Sequence, residues 1–128
     1  MMREAATAGA RLVQFPEGML SGYAVEQVQD WAEVDWPGVR QELEAVAALA
    51  RELSLWVVLG SAHPLTSPHR PHNSLYVISD EGLLVDRYDK RLCSHTEITR
   101  PSPPTCSAPD WSGPTGGTSR VPTAPPGW

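Results

Sequence analysis

Basic residues, cysteines and long hydrophobic runs are scarce in this sequence of 128 residues. Lysine and arginine total 10 against 15 acidic residues, and the net charge of -5 argues against nucleic-acid binding, which needs an excess of basic side chains. Two cysteines cannot build a disulfide scaffold, so a reducing, cytoplasmic setting is expected. No run approaches the roughly 20 apolar residues of a membrane-spanning helix, so no membrane association is expected.

Proline, by contrast, is abundant and unevenly placed. Of 13 prolines, five fall in residues 1–99 and eight in residues 100–128, where serine, threonine and glycine are also frequent. Proline removes backbone donors and glycine adds chain entropy, so such a segment buries too little apolar surface to become ordered. The sequence therefore predicts a folded domain over residues 1–99 and a disordered tail over residues 100–128.

Helix and strand patterns alternate along the folded part. Helices are expected over residues 2–8, 24–32 and 37–53, the last capped by Asp35 and carrying apolar residues at helical spacing. The apolar run at 55–60 predicts a strand buried on both faces, and residues 61–73 are expected to form a loop. Further strands are expected over residues 11–15, 74–79 and 83–88, the last two joined through Gly82. This order predicts an α/β fold with a mixed sheet.

Two charged residues directly follow predicted strands. Glu17 follows the strand at 11–15, and Lys90, the single lysine, follows the strand at 83–88. If 11–15 and 55–60 are parallel and 74–79 is antiparallel, both charges reach one edge of the sheet, where open α/β sheets bind ligands. The alternatives are two solvated surface charges or an ordinary salt bridge between them.

Three blocks of residues, in this order along the chain, resemble those of a known family. The blocks are Gly9–Glu17 with Gly22 and Tyr23, then Val57–Ser61, then Asn73–Ile78 with Gly82 and Arg87–Leu92. They resemble the first signature, the next strand and the second signature of the carbon-nitrogen hydrolase (nitrilase) superfamily. The resemblance covers residues 5–99.

The resemblance implies an α-β-β-α sandwich, usually paired with another subunit, which hydrolyses non-peptide C–N bonds. It implies a Glu-Lys-Cys mechanism without metal or organic cofactor. Glu17 matches the general base, Lys90 matches the group that stabilises the tetrahedral intermediate, and Glu97 is a candidate for the second acid that many members carry. Amide and carbamoyl compounds are commoner substrates in this family than nitriles, so the resemblance implies a substrate of that kind. It also implies self-association into a homo-oligomer.

The third signature of the family, which carries the cysteine nucleophile, has no counterpart in the sequence. Cys93 lies three residues after Lys90 and is interpreted as a structural thiol, and Cys106 lies in the proline-rich tail with no strand before it. No nucleophile is therefore identified. The sequence resembles a truncated member with an incomplete sandwich, expected to be inactive alone. The alternative is a non-catalytic module that uses the same half-fold to bind a partner or itself.

Other polar residues are interpreted without a catalytic role. His63, His69 and His72 lie close together, but no cysteine or acidic residue separates them, so no metal site is predicted. Asp89, like other acids of the predicted hairpin, is interpreted as a solvated charge.

The composition of residues 100–128 generates a first prediction. We expect their backbone amides to exchange with solvent at the rate of an unfolded peptide, because the segment lacks the apolar content that offsets the entropy of ordering. Hydrogen exchange followed by mass spectrometry measures this directly. Strong protection across the segment contradicts the prediction, and residues 37–53 serve as the protected internal control.

Overall fold

The computed structural model of the chain describes residues 1–23, 27–28, 30–66 and 69–92. The elements are α1 (Met2–Thr7), β1 (Leu12–Gln14), a short 3-10 helix (Trp31–Glu33), α2 (Trp36–Leu53), β2 (Trp56–His63), β3 (His72–Ile78) and β4 (Leu84–Asp89). Neither described helix is long and apolar enough to cross a membrane. The predicted tail at 100–128 lies outside the described residues.

The four strands form one mixed sheet in the order β1-β2-β3-β4. β1 is parallel to β2, whereas β3 is antiparallel to β2 and β4 is antiparallel to β3. α2 connects the two parallel strands, and the β3–β4 hairpin turns at Gly82, whose φ of +76° is one that glycine adopts without strain. The predicted α/β class with a mixed sheet is confirmed. Because of these directions, β1 and β4 run the same way, and their C-terminal ends lie at the same end of the sheet.

The ends of α2 follow from its sequence. Asp35 caps the N-terminus by accepting a hydrogen bond of 3.1 Å from the backbone N–H of Gly38, and Pro37 occupies the first turn. Ser54 ends the helix in the left-handed conformation, with φ of 50°. The predicted boundary at Asp35 is confirmed.

The two faces of the sheet have different surroundings. Alternate residues of β2 and β3 point toward α2 and form the core with it. Its members include Val57, Leu59, Tyr76, Ile78, Leu43 and Ala50. The opposite face, called the open face below, carries apolar side chains that remain accessible: Leu12 is 54%, Trp56 is 36% and Tyr88 is 52% exposed.

β2 differs from its prediction in two respects. It continues to His63, although residues 61–73 were predicted to form a loop. The extension arises because Ser61, Ala62 and His63 pair in register with β3. β2 is also not buried on both faces at its start, since Trp56 lies on the open face.

The predicted helix at 24–32 is wrong in its described part. Gln27 lies in a turn, and a 3-10 helix begins only after Asp30, whose side chain accepts a hydrogen bond of 2.9 Å from the N–H of Ala32. Asp30 has extended backbone angles, so its capping bond starts a new turn instead of continuing a helix. Residues 24–26 and 29 lie outside the described residues.

The segment after β1 crosses β2 at Gly60. The N–H of Phe15 donates to the carbonyl of Val58 at 2.8 Å, and the N–H of Leu20 donates to the carbonyl of Gly60 at 3.2 Å. A Cβ atom on Gly60 would overlap the carbonyl oxygen of Pro16 and lie 2.7 Å from the Cα of Glu17. Gly60 is therefore required for this close approach of two backbones.

We expect the substitution Gly60→Ala to lower the free energy of unfolding by about 2 kcal/mol, because the atoms it meets belong to a hydrogen-bonded backbone that cannot move aside. Urea unfolding measures the change. Gly9→Ala is the matched control: Gly9 has φ of +84° but no atom within 4 Å of its added Cβ, so only conformational strain of about 1 kcal/mol is expected. Equal losses in the two variants contradict the overlap.

Candidate functional site

Glu17 and Lys90 meet at the edge of the sheet where β1 and β4 end. The Nζ atom of Lys90 lies 4.0 Å from Oε1 of Glu17, and the two side chains are 34% and 44% exposed. The structure thus brings together the two residues that the strand directions placed at one edge. Their partial exposure leaves both groups accessible to a small molecule.

Asn73 links the two charged residues. Its side-chain amide donates a hydrogen bond to Oε1 of Glu17, and its backbone carbonyl accepts a hydrogen bond of 2.8 Å from the N–H of Lys90. Asn73 itself is only 8% exposed. No role was predicted for Asn73 from the sequence. The signal that could have found it is an amide side chain near the start of a predicted strand. An amide that becomes buried there requires a polar partner, so a hydrogen bond to another side chain can be expected.

A small cavity adjoins the Glu17 carboxylate. Its wall includes Gly18, Ser21, Trp31 and Ala62 in addition to Glu17 and Asn73. The hydroxyl of Ser21 accepts a hydrogen bond of 2.8 Å from the N–H of Ala62, so this buried backbone group is satisfied. A carboxylate beside a lysine at the edge of a cavity can combine proton transfer with stabilisation of a developing negative charge.

Asp89 directly precedes Lys90 in the chain and lies on the side of the sheet that faces α2, called the covered face below. Its Oδ1 accepts a hydrogen bond of 2.6 Å from the hydroxyl of Ser74 and lies 3.0 Å from Nε of Arg87, and its Oδ2 lies 3.1 Å from Nδ1 of His72. Burial raises the pKa of the Asp89 carboxyl, but hydrogen bonds from Ser74 and His72 and the charge of Arg87 outweigh it and lower the pKa below its usual value. The interpretation of Asp89 as a solvated charge was therefore wrong.

His63 and Tyr76 extend this network into the core. Nδ1 of His63 lies 2.8 Å from the hydroxyl of Tyr76, and its Nε2 contacts Nη1 of Arg87. Burial and then the charge of Arg87 lower the pKa of His63 to about 4, so its ring is neutral near pH 7. Burial also raises the pKa of the Tyr76 phenol above its ordinary value. We call Asp89, Arg87, Ser74, His72, His63 and Tyr76 the polar network.

The remaining candidate residues are distributed as follows. His69, the third histidine of the predicted loop, is exposed. Within the described ranges, no group of three histidine, cysteine or acidic side chains is arranged to hold a metal ion. Glu97, Cys93 and Cys106 lie outside the described residues, so their proposed roles stay predictions.

Comparison with known proteins identifies the family. A carbon-nitrogen hydrolase family model matches residues 1–123. The chain belongs to the carbon-nitrogen hydrolase family. It is similar to the human protein Omega-amidase NIT2, with 32% identity over 89 residues that cover 70% of this chain and 31% of the relative. This family member therefore spans about a third of the length of the curated relatives it matches.

Solved structures support the fold of this family member. It is similar to the NitFhit protein of C. elegans, with a TM-score of 0.57 and 20% identity over 73% of this chain and 23% of the other. It is also similar to a mutant amidase from Nesterenkonia sp. AN1, with a TM-score of 0.60 and 20% identity over 73% and 34% of the two chains. The predicted nitrilase-type α/β fold is confirmed.

Lowering the pH should destabilise the fold through His63. Its pKa of about 4 lies below the ordinary value of 6.5, so the unfolded chain takes up the proton first. The stability that the neutral ring contributes is complete above pH 6.5 and is lost progressively toward pH 4. We expect a loss of about 2 kcal/mol in urea unfolding across this interval.

The variant His63→Gln should remove most of this pH dependence, whereas His69→Gln, at an exposed position, should leave it unchanged. A parent and a His63→Gln variant with the same slope between pH 6.5 and pH 4 contradict the assignment.

Proposed function

We propose that the chain supplies the base and the oxyanion partner of a hydrolase that cleaves the C–N bond of amide or carbamoyl substrates. The observation that carries the proposal is the approach of Lys90 Nζ to within 4.0 Å of Glu17 Oε1, with Asn73 bonded to both residues. The family and the similarity to an omega-amidase support an amide substrate.

Each residue has a defined role in this mechanism. Glu17 removes the proton of a thiol, and the thiolate attacks the carbonyl carbon of the substrate. Lys90 stabilises the negative charge that develops on the carbonyl oxygen. Glu17 then donates its proton to the leaving amine, and afterwards removes a proton from the water that hydrolyses the thioester. Asn73 is proposed to hold the Glu17 carboxylate in place throughout.

The thiol is proposed to come from the part of the family fold that this chain does not span. The described residues contain no cysteine. In the related mutant amidase, the acetamide moiety of fluoroacetamide adds covalently at the active site cysteine, which supports a thiol nucleophile. We propose that the chain alone is inactive, and that Glu97 is a second acid of the completed site.

The open face favours a second candidate function, a non-catalytic module that binds a partner or itself. Leu12, Trp56 and Tyr88 expose apolar surface on one face of the sheet, and surface of this kind often marks an interaction site. Homo-oligomer formation is part of this proposal. A cytoplasmic location stays a prediction from the low cysteine content.

We expect the purified 128-residue chain to show no turnover with a panel of simple amides and carbamoyl compounds. A chain extended with a family-like third signature should gain activity, because the catalytic members act as a unit and removal of a nucleophile costs several orders of magnitude. In the extended protein, Glu17→Gln and Lys90→Met should each lower kcat/KM by at least about 1,000-fold.

Glu81→Gln is the matched control for Glu17→Gln, since Glu81 is an exposed acid of the β3–β4 turn, and it should leave kcat/KM unchanged. Turnover by the parent chain that disappears in Cys106→Ser contradicts the proposal, because it makes the tail part of the site. Activity of the extended protein without dependence on Glu17 contradicts the assigned base.

A further inference from the structure

The buried side chain of Asn73 has one polar atom that the described residues leave without a partner. Its amide nitrogen donates to Oε1 of Glu17, and its backbone carbonyl accepts from the N–H of Lys90. Within the part of the chain that the structure describes, no residue donates a hydrogen bond to its Oδ1 atom. Asn73 is only 8% exposed, and a buried amide oxygen without a donor destabilises a fold. The Oδ1 atom therefore requires a hydrogen-bond donor.

Asn73 forms part of the wall of the small cavity that adjoins Glu17. The loop over residues 18–22 closes this cavity on one side and β2 closes it on another, where Ala62 pairs directly with Asn73 in the sheet. The space open to the centre of a water molecule is about 10 Å³. One bound water needs about that much, whereas a substrate pocket is far larger. The cavity is therefore of a size for a single small molecule and not for an amide substrate.

The serine hydroxyls around the cavity do not serve as the missing donor. A serine hydroxyl carries one hydrogen. Ser21 donates its hydrogen to a neighbouring backbone carbonyl at 3.3 Å, and Ser61 does the same at 3.0 Å. The wall also presents two acceptors, the carboxylate of Glu17 and the Oδ1 atom of Asn73. A molecule that satisfies this wall must therefore donate two hydrogen bonds.

The charges at the cavity favour a neutral molecule. The carboxylate of Glu17 repels an anion, and the ammonium group of Lys90, 4.0 Å from Oε1 of Glu17, opposes a second cation. A water molecule is neutral, donates two hydrogen bonds and accepts from N–H groups. The backbone N–H of Ser21 has no acceptor among the described residues, although Ser21 is only 9% exposed. This buried N–H also requires a partner, and a water oxygen supplies one.

We propose that one water molecule is bound in this cavity as part of the folded structure. It donates one hydrogen bond to Oδ1 of Asn73 and the other to the carboxylate of Glu17, and it accepts one from the N–H of Ser21. Three hydrogen bonds are the usual number for a buried water. The water links the loop that carries Glu17 to β3, in addition to the direct bond from Asn73. The proposal rests on the cavity and its hydrogen bonds, independently of the proposed activity.

Two substitutions of nearly equal volume at Ala62 test the need for a donor. Threonine and valine both fill the cavity and displace the water, but only threonine brings a hydroxyl that can donate to Asn73 across the strand pair. Ala62→Val leaves Oδ1 buried without a donor, so its unfolding equilibrium constant should exceed that of Ala62→Thr at least about tenfold. Urea unfolding measures both constants. Equal constants, or an Ala62→Val variant more stable than Ala62→Thr, overturn the proposal.

Val58→Thr is the matched control, because Val58 lies on the same face of β2 as Ala62 but does not line the cavity. Exchange of a methyl group for a hydroxyl at this position should raise the unfolding equilibrium constant or leave it unchanged, as expected where the hydroxyl meets no buried acceptor. A gain in stability from Val58→Thr shows that threonine is favoured along β2 in general, and it overturns the interpretation of the Ala62 pair.

Nuclear magnetic resonance of the isotope-labelled parent chain detects the water itself. A water that stays bound for longer than the protein takes to tumble gives a negative nuclear Overhauser effect at nearby N–H groups. We expect this signal at the side-chain amide of Asn73 and the backbone amide of Ser21. Proton exchange through the Ser21 hydroxyl produces a similar signal, so Ala62→Val, which retains that hydroxyl, is the reference and should lose the signal. No signal in the parent, or an unchanged signal in Ala62→Val, overturns the proposal.

Discussion

The position of the candidate site depends on Asn73. One buried side chain joins Glu17, 56 residues earlier in the sequence, while its own backbone carbonyl holds the first residue after β4. A buried amide that loses its partner costs free energy, so the loop that carries Glu17 and the strand that ends at Lys90 are stabilised together. Gly60 makes this possible, because only a residue without a side chain lets the loop lie against β2.

The alternation of side chains along β4 separates structural from candidate catalytic groups. Arg87 and Asp89 point to the covered face and belong to the polar network, whereas Lys90 points to the face that carries Glu17 and Asn73. A satisfied buried network favours one strand register over others, because every shifted register leaves buried polar groups without partners. The register of β3 and β4 is therefore supported directly beside the lysine that the proposed chemistry requires.

Much of the fold could be predicted from local patterns. The apolar spacing of α2, its Asp35 cap and the glycine turn between β3 and β4 are short-range signals, and each was confirmed. The prediction of a short helix over 24–32 was wrong because Asp30 caps a separate 3-10 turn. The predicted end of β2 was wrong because residues Ser61 to His63 are extended only through their pairing with β3, and no local pattern contains this contact.

The sequence by itself determined the strand order along the chain, the family blocks, and the position of Glu17 and Lys90 immediately after strands. These properties depend on neighbouring residues, whose periodicity and turn chemistry are readable in one dimension. Only the tertiary structure decided that Asn73 bonds to Glu17, that Asp89 lies half-buried among Ser74, Arg87 and His72, and that His63 is kept neutral. These properties arise from side chains that different strands place on one face, and the pairing register that brings them together is a long-range property of the sheet.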